Sequence, residues 1–449
     1  MTMKSLRTWA TASISPATVL LVLGLYLDSS PCAAEVVVEN YETGEKKVEY
    51  NVKNGKRNGA YSEYYIGGQL RVKAVYRNDK LSGNYIAYHG NGVPKVRVGY
   101  KNGLRHGKYE EFDSEARAVV AGEYQRGVLH GPYVTYRAGK REPASEFERG
   151  ELVKFRGQRV HPHTKKELAV AMGKIRDQEP SFEGATAEQR AALARLNTYR
   201  LLSRLPADVK LDEARCQVAA DEANLQAEQG EQEVEANYPQ NQAVRIPANV
   251  TNPNASVAID AFMANNEERF AHTVLLRRAI LNPKMTQVGI AAAGHYGAMS
   301  KDDASRTKVA SWKYIAHPGP GYTPVDYFSA DRPWSVMING KSYRSILADK
   351  GIVVRPINEN LTFGKPLELE YKTEVLASDD DPLAGDDPYL IFYPRDVEVA
   401  PGKRYWVEIT GFMGPDRKLA PIKFLVDFIE PVDLSDTKTK RRRSRRPRR

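Results

Sequence analysis

Gly59, Gly83, Gly107 and Gly131 stand 24 residues apart. Each is followed at fixed distance by an aromatic pair: Tyr61 and Tyr64, Tyr85 and Tyr88, Tyr109 and Phe112, Tyr133 and Tyr136. Tyr76, Tyr100 and Tyr124 recur at the same period, with Val52 in the equivalent upstream place. Turn pairs precede each glycine (Asn54-Gly55, Asn78-Asp79, Asn102-Gly103, Arg126-Gly127), and a partial copy ends at Arg149-Gly150. Such a period sets the architecture before any other reading. Asn-Gly pairs supply the positive φ of tight hairpins, and glycine lets backbones approach closely. Aromatics three apart straddle the two faces of a strand, so part of each pair packs on the next hairpin. A lone hairpin is marginal in water, so several must stack. The stretch from about Asn54 to Gly150 is therefore expected to be a binding or scaffolding module, not an active site.

This Gly-x-Tyr-x-x-Tyr motif with its preceding Asn-Gly resembles the MORN repeat, especially the variant in bacterial wall and antitoxin-like proteins. The resemblance implies an extended β-sheet that acts as a spacer or binding surface without catalysis. The tyrosines are expected to serve packing first.

The first 34 residues follow another pattern. Lys4 and Arg7 precede a mostly apolar run from Ile14 to Leu27, and Cys32-Ala33-Ala34 offers small residues for cleavage before Glu35. That is the form of a secretory leader, and the run is short for a membrane span. Removing it leaves Cys216 as the one cysteine, so no intramolecular disulfide can form. An exported protein of the bacterial envelope or exterior is the expectation, with no transmembrane span after cleavage. The net charge of +10 misleads. Lys438 to Arg449 carries nine positive charges and no acid, and the leader adds a net +1, so the body is close to neutral. The tail is expected to be disordered and to meet an anionic surface; nucleic acid is not the expected partner.

After a linker with a short helix at Lys165 to Arg176, Thr186 reads as the N-cap of a stronger helix. Its apolar face would be Leu193, Leu196, Leu201, Leu202 and Leu205. The segments Leu196-Asn197-Thr198-Tyr199-Arg200, Leu205-Pro206, Leu211-Asp212 and Ala219-Ala220 resemble the opening of a CAP domain, the fold of cysteine-rich secretory and pathogenesis-related proteins. Arg277 to Pro283, Val288-Gly289-Ile290 and the strip Pro318 to Pro324 are similar to later segments of bacterial members. The resemblance implies a cleft with two histidines and two acidic residues able to hold a metal. This chain departs from it. Glu222, in the helix Glu213 to Gln229, stands where the first histidine belongs, and Leu276 stands where the second belongs. Glu222 and His272 form at most a reduced polar pair, and two ligands do not make a zinc site. The domain is therefore expected to be a degenerate member with neither metal nor cofactor.

His161 and His163 form a candidate metal pair lacking further ligands. His295 and His317, near glycines and aromatics, are expected on loops or the surface. Cys216, among alanines on a helix, is expected to be buried and inert. Asp379 to Asp381 with Asp386 and Asp387 reads as a solvated acidic loop matching no EF-hand. From Trp334 onward, Leu367 to Thr373, Tyr389 to Phe392, Arg404 to Thr410 and Ile422 to Phe428 read as strands.

The expected organisation is a multidomain α+β chain. It has a leader (1–34), an all-β hairpin-repeat sheet (35–157), a linker (158–185), a central α/β/α CAP-like sandwich (186–333), a small antiparallel β unit (334–432) and a basic tail (433–449). The function it implies is an exported, non-catalytic binding or scaffold protein. Its partners would be a protein or envelope polymer, met through the repeat sheet and the cleft. The alternative is a CAP-type hydrolase or ligand-sequestering protein using Glu222 and His272.

Overall fold

The computed structural model describes residues 35–229, 241–264, 274–300, 303–340, 345–346, 351–375, 387–413 and 419–435. Residues 1–34, His272, most of the acidic stretch 379–387 and residues 436–449 lie outside these residues. The chain is mostly β, in several sheets, with a large antiparallel sheet at its N-terminal end and five described helices.

The repeats form a 15-stranded sheet in sequence order. Each Asn-Gly-type turn has positive φ at both central residues, as at Asn54 (54°) and Gly55 (71°) or Asn102 (53°) and Gly103 (83°). This is the hairpin geometry whose twist matches the strands. Asn78-Asp79 and Arg126-Gly127 adopt it as well. Both ends of the hairpins are tied to the neighbouring copy. At one end Asp79, Gly103, Gly127 and Gly150 donate their N–H groups to the carbonyls of Arg57, Leu81, Arg105 and Leu129, at 2.8–2.9 Å. At the other end the Tyr41 and Tyr65 hydroxyls donate to the Tyr64 and Tyr88 carbonyls at 2.7 and 2.8 Å. His89 Nε2 reaches the Phe112 carbonyl at 3.0 Å. Tyr41, Tyr65 and His89 form a further 24-residue column.

Helices α1 (Lys165–Arg176) and α2 (Ala187–Leu202) each begin with a capping box, Thr164 with Glu167 and Thr186 with Gln189. Helices α3 (Glu213–Gln229), α4 (Ala255–Ala264) and α5 (Leu275–Ile280) follow. A three-stranded sheet of Asn241–Arg245, Tyr296–Ser300 and Ile290–Ala293 lies among them. Ala219 and Ala223 of α3 pack on Ala291 and Ala298. Small side chains bring helix and sheet close there. Gly297 is glycine for the same reason, since a Cβ would lie 2.2 Å from that of Ala258 on α4.

The C-terminal part is two four-stranded sheets that share one buried core. One holds Tyr314–His317, Trp334–Ile338, Tyr389–Pro394 and Leu369–Val375; the other holds Gly321–Pro324, Ile422–Ile429, Arg404–Ile409 and Ile352–Ile357.

Three expectations need correction. The central unit does not run to 333, because Tyr314–His317 and Gly321–Pro324 belong to the two C-terminal sheets, one in each. A separate α/β/α sandwich over that span is not what the chain builds. The C-terminal unit is not wholly antiparallel, because Gly321–Pro324 runs parallel to Ile422–Ile429. The linker holds its expected helix, Lys165–Arg176, and Leu168 and Met172 of that helix are buried in the main core with Leu196 and Ile280.

Candidate functional site

Glu222 is half-buried on α3 and accepts a hydrogen bond from Gln226 Nε2 at 3.0 Å. It does not line the cavity described below. Its proposed partner His272 lies outside the described residues, so the pair is not brought together here. Leu276 is 1% exposed, a core side chain. Cys216 is buried, as expected, and burial raises its thiol pKa, which keeps it protonated. Among the described residues no three His, Cys, Asp or Glu side chains converge as metal ligands would.

The histidines correct the sequence reading most. His295 sits half-buried in a turn. His161 is buried, with its ring stacked on Tyr322 at a centroid distance of 3.7 Å and its Nε2 3.4 Å from Asp427 Oδ2. Arg404 Nε donates to the same carboxylate oxygen at 2.9 Å. Burial acts to raise the Asp427 pKa, but His161 and Arg404 outweigh it and hold the carboxyl below its ordinary value. This cluster joins the end of the repeat sheet to the C-terminal sandwich. His317 is also buried, at the end of a strand rather than on the surface.

The segments that carried the second resemblance act as clamps. Asn197 exchanges two hydrogen bonds with the Val209 backbone, its Nδ2 donating at 2.9 Å and its Oδ1 accepting at 3.2 Å. Arg200, wholly buried, donates to the Ile280 and Asn282 carbonyls at 2.8 Å and to the Pro206 carbonyl at 2.9 Å. Burial lowers its pKa to about 10, which leaves it cationic at neutral pH. Arg277, equally buried, donates to the Met263 and Pro333 carbonyls at 2.7 and 2.9 Å and to Ser335 Oγ at 3.0 Å. Arg200 Nε and Nη1 thus meet three backbone carbonyls, while its buried Nη2 has no hydrogen bond among the described residues.

A cavity of about 230 Å³ opens where α2 and α4 meet the sandwich. Its polar side is Asp260, Tyr199, His317 and Arg332. Arg195 donates to Asp260 Oδ1 at 2.6 Å and pairs with Asp326 at 3.3 Å. Its guanidinium lies 3.6 Å from the Tyr327 ring centre. The Tyr199 hydroxyl donates to the same Asp260 oxygen at 2.8 Å. Burial pushes the Asp260 carboxyl above the ordinary range in spite of Arg195. Sequence reading missed this site. Its only local signal was Asp260 in an otherwise apolar helix, ASVAIDAFMA.

The other prominent surface is one face of the repeat sheet. Tyr61 pairs with Tyr76, Tyr85 with Tyr100, Tyr109 with Tyr124 and Tyr133 with Phe147, at centroid distances of 5.3–5.8 Å. Arg57 lies over Tyr76 and Arg105 over Tyr124. Burial along this column is graded. Tyr133 and Tyr109 are 6% and 9% exposed, whereas Tyr85 and Tyr61 are only partly buried. The covered end shares a buried cluster with Trp406 and Leu425 of the sandwich. No helix among the described residues is long and apolar enough to cross a membrane. In comparisons with known proteins, no family model and no curated protein matches this chain.

Proposed function

We propose that this chain is an exported, non-catalytic binding protein of the cell envelope, in which a MORN-like repeat sheet presents a contact face beside a degenerate CAP-like unit. The graded tyrosine column carries this reading. The chain already uses one end of the face to bind its own sandwich. The remainder offers the same rings and the same arginine partners to solvent. Tyrosine and arginine are the residues that dominate protein recognition surfaces. The rigid seat at one end holds that face in a fixed orientation, which suits a scaffold.

The CAP-like part draws support from the way its quoted segments meet. Arg200 of the first bonds the carbonyls of Ile280 and Asn282 in the second. Gly289 of the third packs so tightly on α3 that a Cβ would lie 2.0 Å from the Arg215 carbonyl oxygen. The likeness runs from about Thr186 to Phe328, although Tyr314–His317 and Gly321–Pro324 join the two C-terminal sheets. Export rests on the leader pattern, and attachment to an anionic surface on Lys438 to Arg449.

Co-sedimentation of the leaderless chain with purified peptidoglycan sacculi tests the reading. Saturable binding is expected, and the double change Tyr61→Ser and Tyr85→Ser should weaken it at least about tenfold. Deleting Lys438 to Arg449 should remove only the salt-sensitive fraction. Undiminished binding by the double variant would refute the face as the contact surface. Stoichiometric zinc that disappears in Glu222→Ala would replace this reading with the hydrolase-like one.

A further inference from the structure

The body of the chain is close to neutral, yet one patch of the repeat sheet is strongly basic. Strands Leu70–Arg77, Gly83–Tyr88 and Pro94–Lys101 are neighbours in the sheet, in that order. None of the three contains an acid. The outer two carry Arg71, Lys73 and Arg77 and then Lys95, Arg97 and Lys101, all exposed. The two triplets occupy the same places one 24-residue period apart. They share a face, since Lys73 and Arg97 flank Ile86 in the ladder. Side chains alternate along a strand, so this face lies opposite the one that buries Val72, Ala74 and Val98 beside the tyrosines.

The hairpin does not require these cations. The equivalent places hold Lys47, Glu49 and Lys53 in the copy before, and Val119, Ala121 and Gln125 in the copy after. The fold does not neutralise them either. Glu63 meets Arg71 at 3.0 Å and Glu110 lies 3.9 Å from Arg97. Among the described residues, Lys73, Arg77, Lys95 and Lys101 take part in no salt bridge. Like charges gathered on one face repel one another. A partner of opposite charge relieves that repulsion.

Geometry narrows the partner. Neighbouring strands lie about 4.8 Å apart, so the two cation rows stand about 10 Å apart with the middle strand between them. Each row spans six residue steps, or about 20 Å at ~3.4 Å per residue. The floor offers Asn84 and Ile86, shorter than the lysine and arginine stems beside them. The result is a shallow trough one chain wide, positive along both rims. A bilayer surface wants inserted apolar bulk as well as cations, and these strands expose one large apolar side chain, Val75. A single flexible chain of anions can fill the trough and meet both rims at once.

We propose that this face is a docking track for a single-chain polyanion, which lies along Gly83–Tyr88 between the two cation rows. The track is independent of the tyrosine face; either reading stands if the other fails.

Long-chain inorganic polyphosphate is the probe. It is titrated against the full leaderless chain and against the same chain without Lys438 to Arg449, which separates the tail from the track. Both should bind. For the tailless chain, log Kd should rise with log salt concentration at a slope of about 3 to 4, as expected for the unpaired cations. Lys73→Gln with Lys95→Gln should weaken binding at least about tenfold and lower that slope by about 1.5. Lys73→Arg with Lys95→Arg should restore both. Lys140→Gln with Arg141→Gln, which removes the same charge from another exposed strand of the sheet, should leave the affinity within about twofold. The proposal is overturned if the tailless chain does not bind polyphosphate, or if the two glutamine pairs weaken binding equally. It is also overturned if phosphatidylglycerol vesicles bind through Lys73 and Lys95 and polyphosphate does not compete with them.

Discussion

Asp427 sits within the strand IKFLVDFI, 1% exposed, where its neighbours are core residues. It is tolerated because Arg404, directly across the ladder, and His161, from the end of the repeats, both face it. Removing one partner of a buried ion pair leaves the other uncompensated, so Asp427→Asn should destabilise the protein by about 3 kcal/mol in denaturant unfolding. The carboxyl's folded pKa lies below its unfolded value of about 3.9. Its contribution is therefore complete above that pH and fades as the pH falls through the lower, folded value. Wild-type melting temperature should drop steeply on acidification below about pH 4, and Asp427→Asn should flatten that slope. Little of this was legible beforehand. An acid in an apolar strand signals a buried partner without naming it, and His161 looked like a loop residue because its local sequence, HPH, has no pattern of burial.

At the scale of the element, the hairpin turns and helix caps were legible because their causes are local. Two positive-φ residues make the turn, and a threonine three residues before a glutamate or glutamine makes the cap. The repeating glycine has a sharper reason than close approach. Gly107 has φ of +83°, and a Cβ there would meet nothing within 4 Å. Conformation alone demands glycine. Gly107→Ala should therefore cost about 1–2 kcal/mol by thermal or chemical unfolding, through backbone strain and not through clash. Gly107→Asn should cost less, since asparagine tolerates this region. Equal losses in the two variants would point to packing instead. The column of Tyr41, Tyr65 and His89 went unread because its members differ in type; only their shared hydrogen bond to the next copy makes them equivalent.

In the whole molecule the decisive contact lies between parts that looked separable. Phe155, fully buried near the end of the repeats, meets Trp406 and Phe363 of the sandwich at 5.3 and 5.5 Å between centroids. Phe155→Ala should cost about 3–5 kcal/mol, and it should do so at the seam between units. Calorimetry should then resolve the single transition expected of the intact chain into two, with the repeat sheet separating from the rest. Retention of one transition at nearly wild-type temperature would mean that the seam is held elsewhere, for instance by the His161 cluster. The same seam leaves only the first repeats with an open tyrosine face.

The amino-acid sequence by itself determined the period and register of the repeats, the starts of α1 and α2, and four of the strands after 334, near 367–373, 389–392, 404–410 and 422–428. Each depends on residues within one turn or one hairpin of each other. Only the tertiary structure decided which tyrosines are covered, that Tyr314–His317 and Gly321–Pro324 leave the helical unit for opposite sheets, and that His161 and His317 are buried. Those outcomes depend on which distant strand supplies the covering side chain. Asp427 reaches back 266 positions to His161, and no spacing along the chain encodes that meeting.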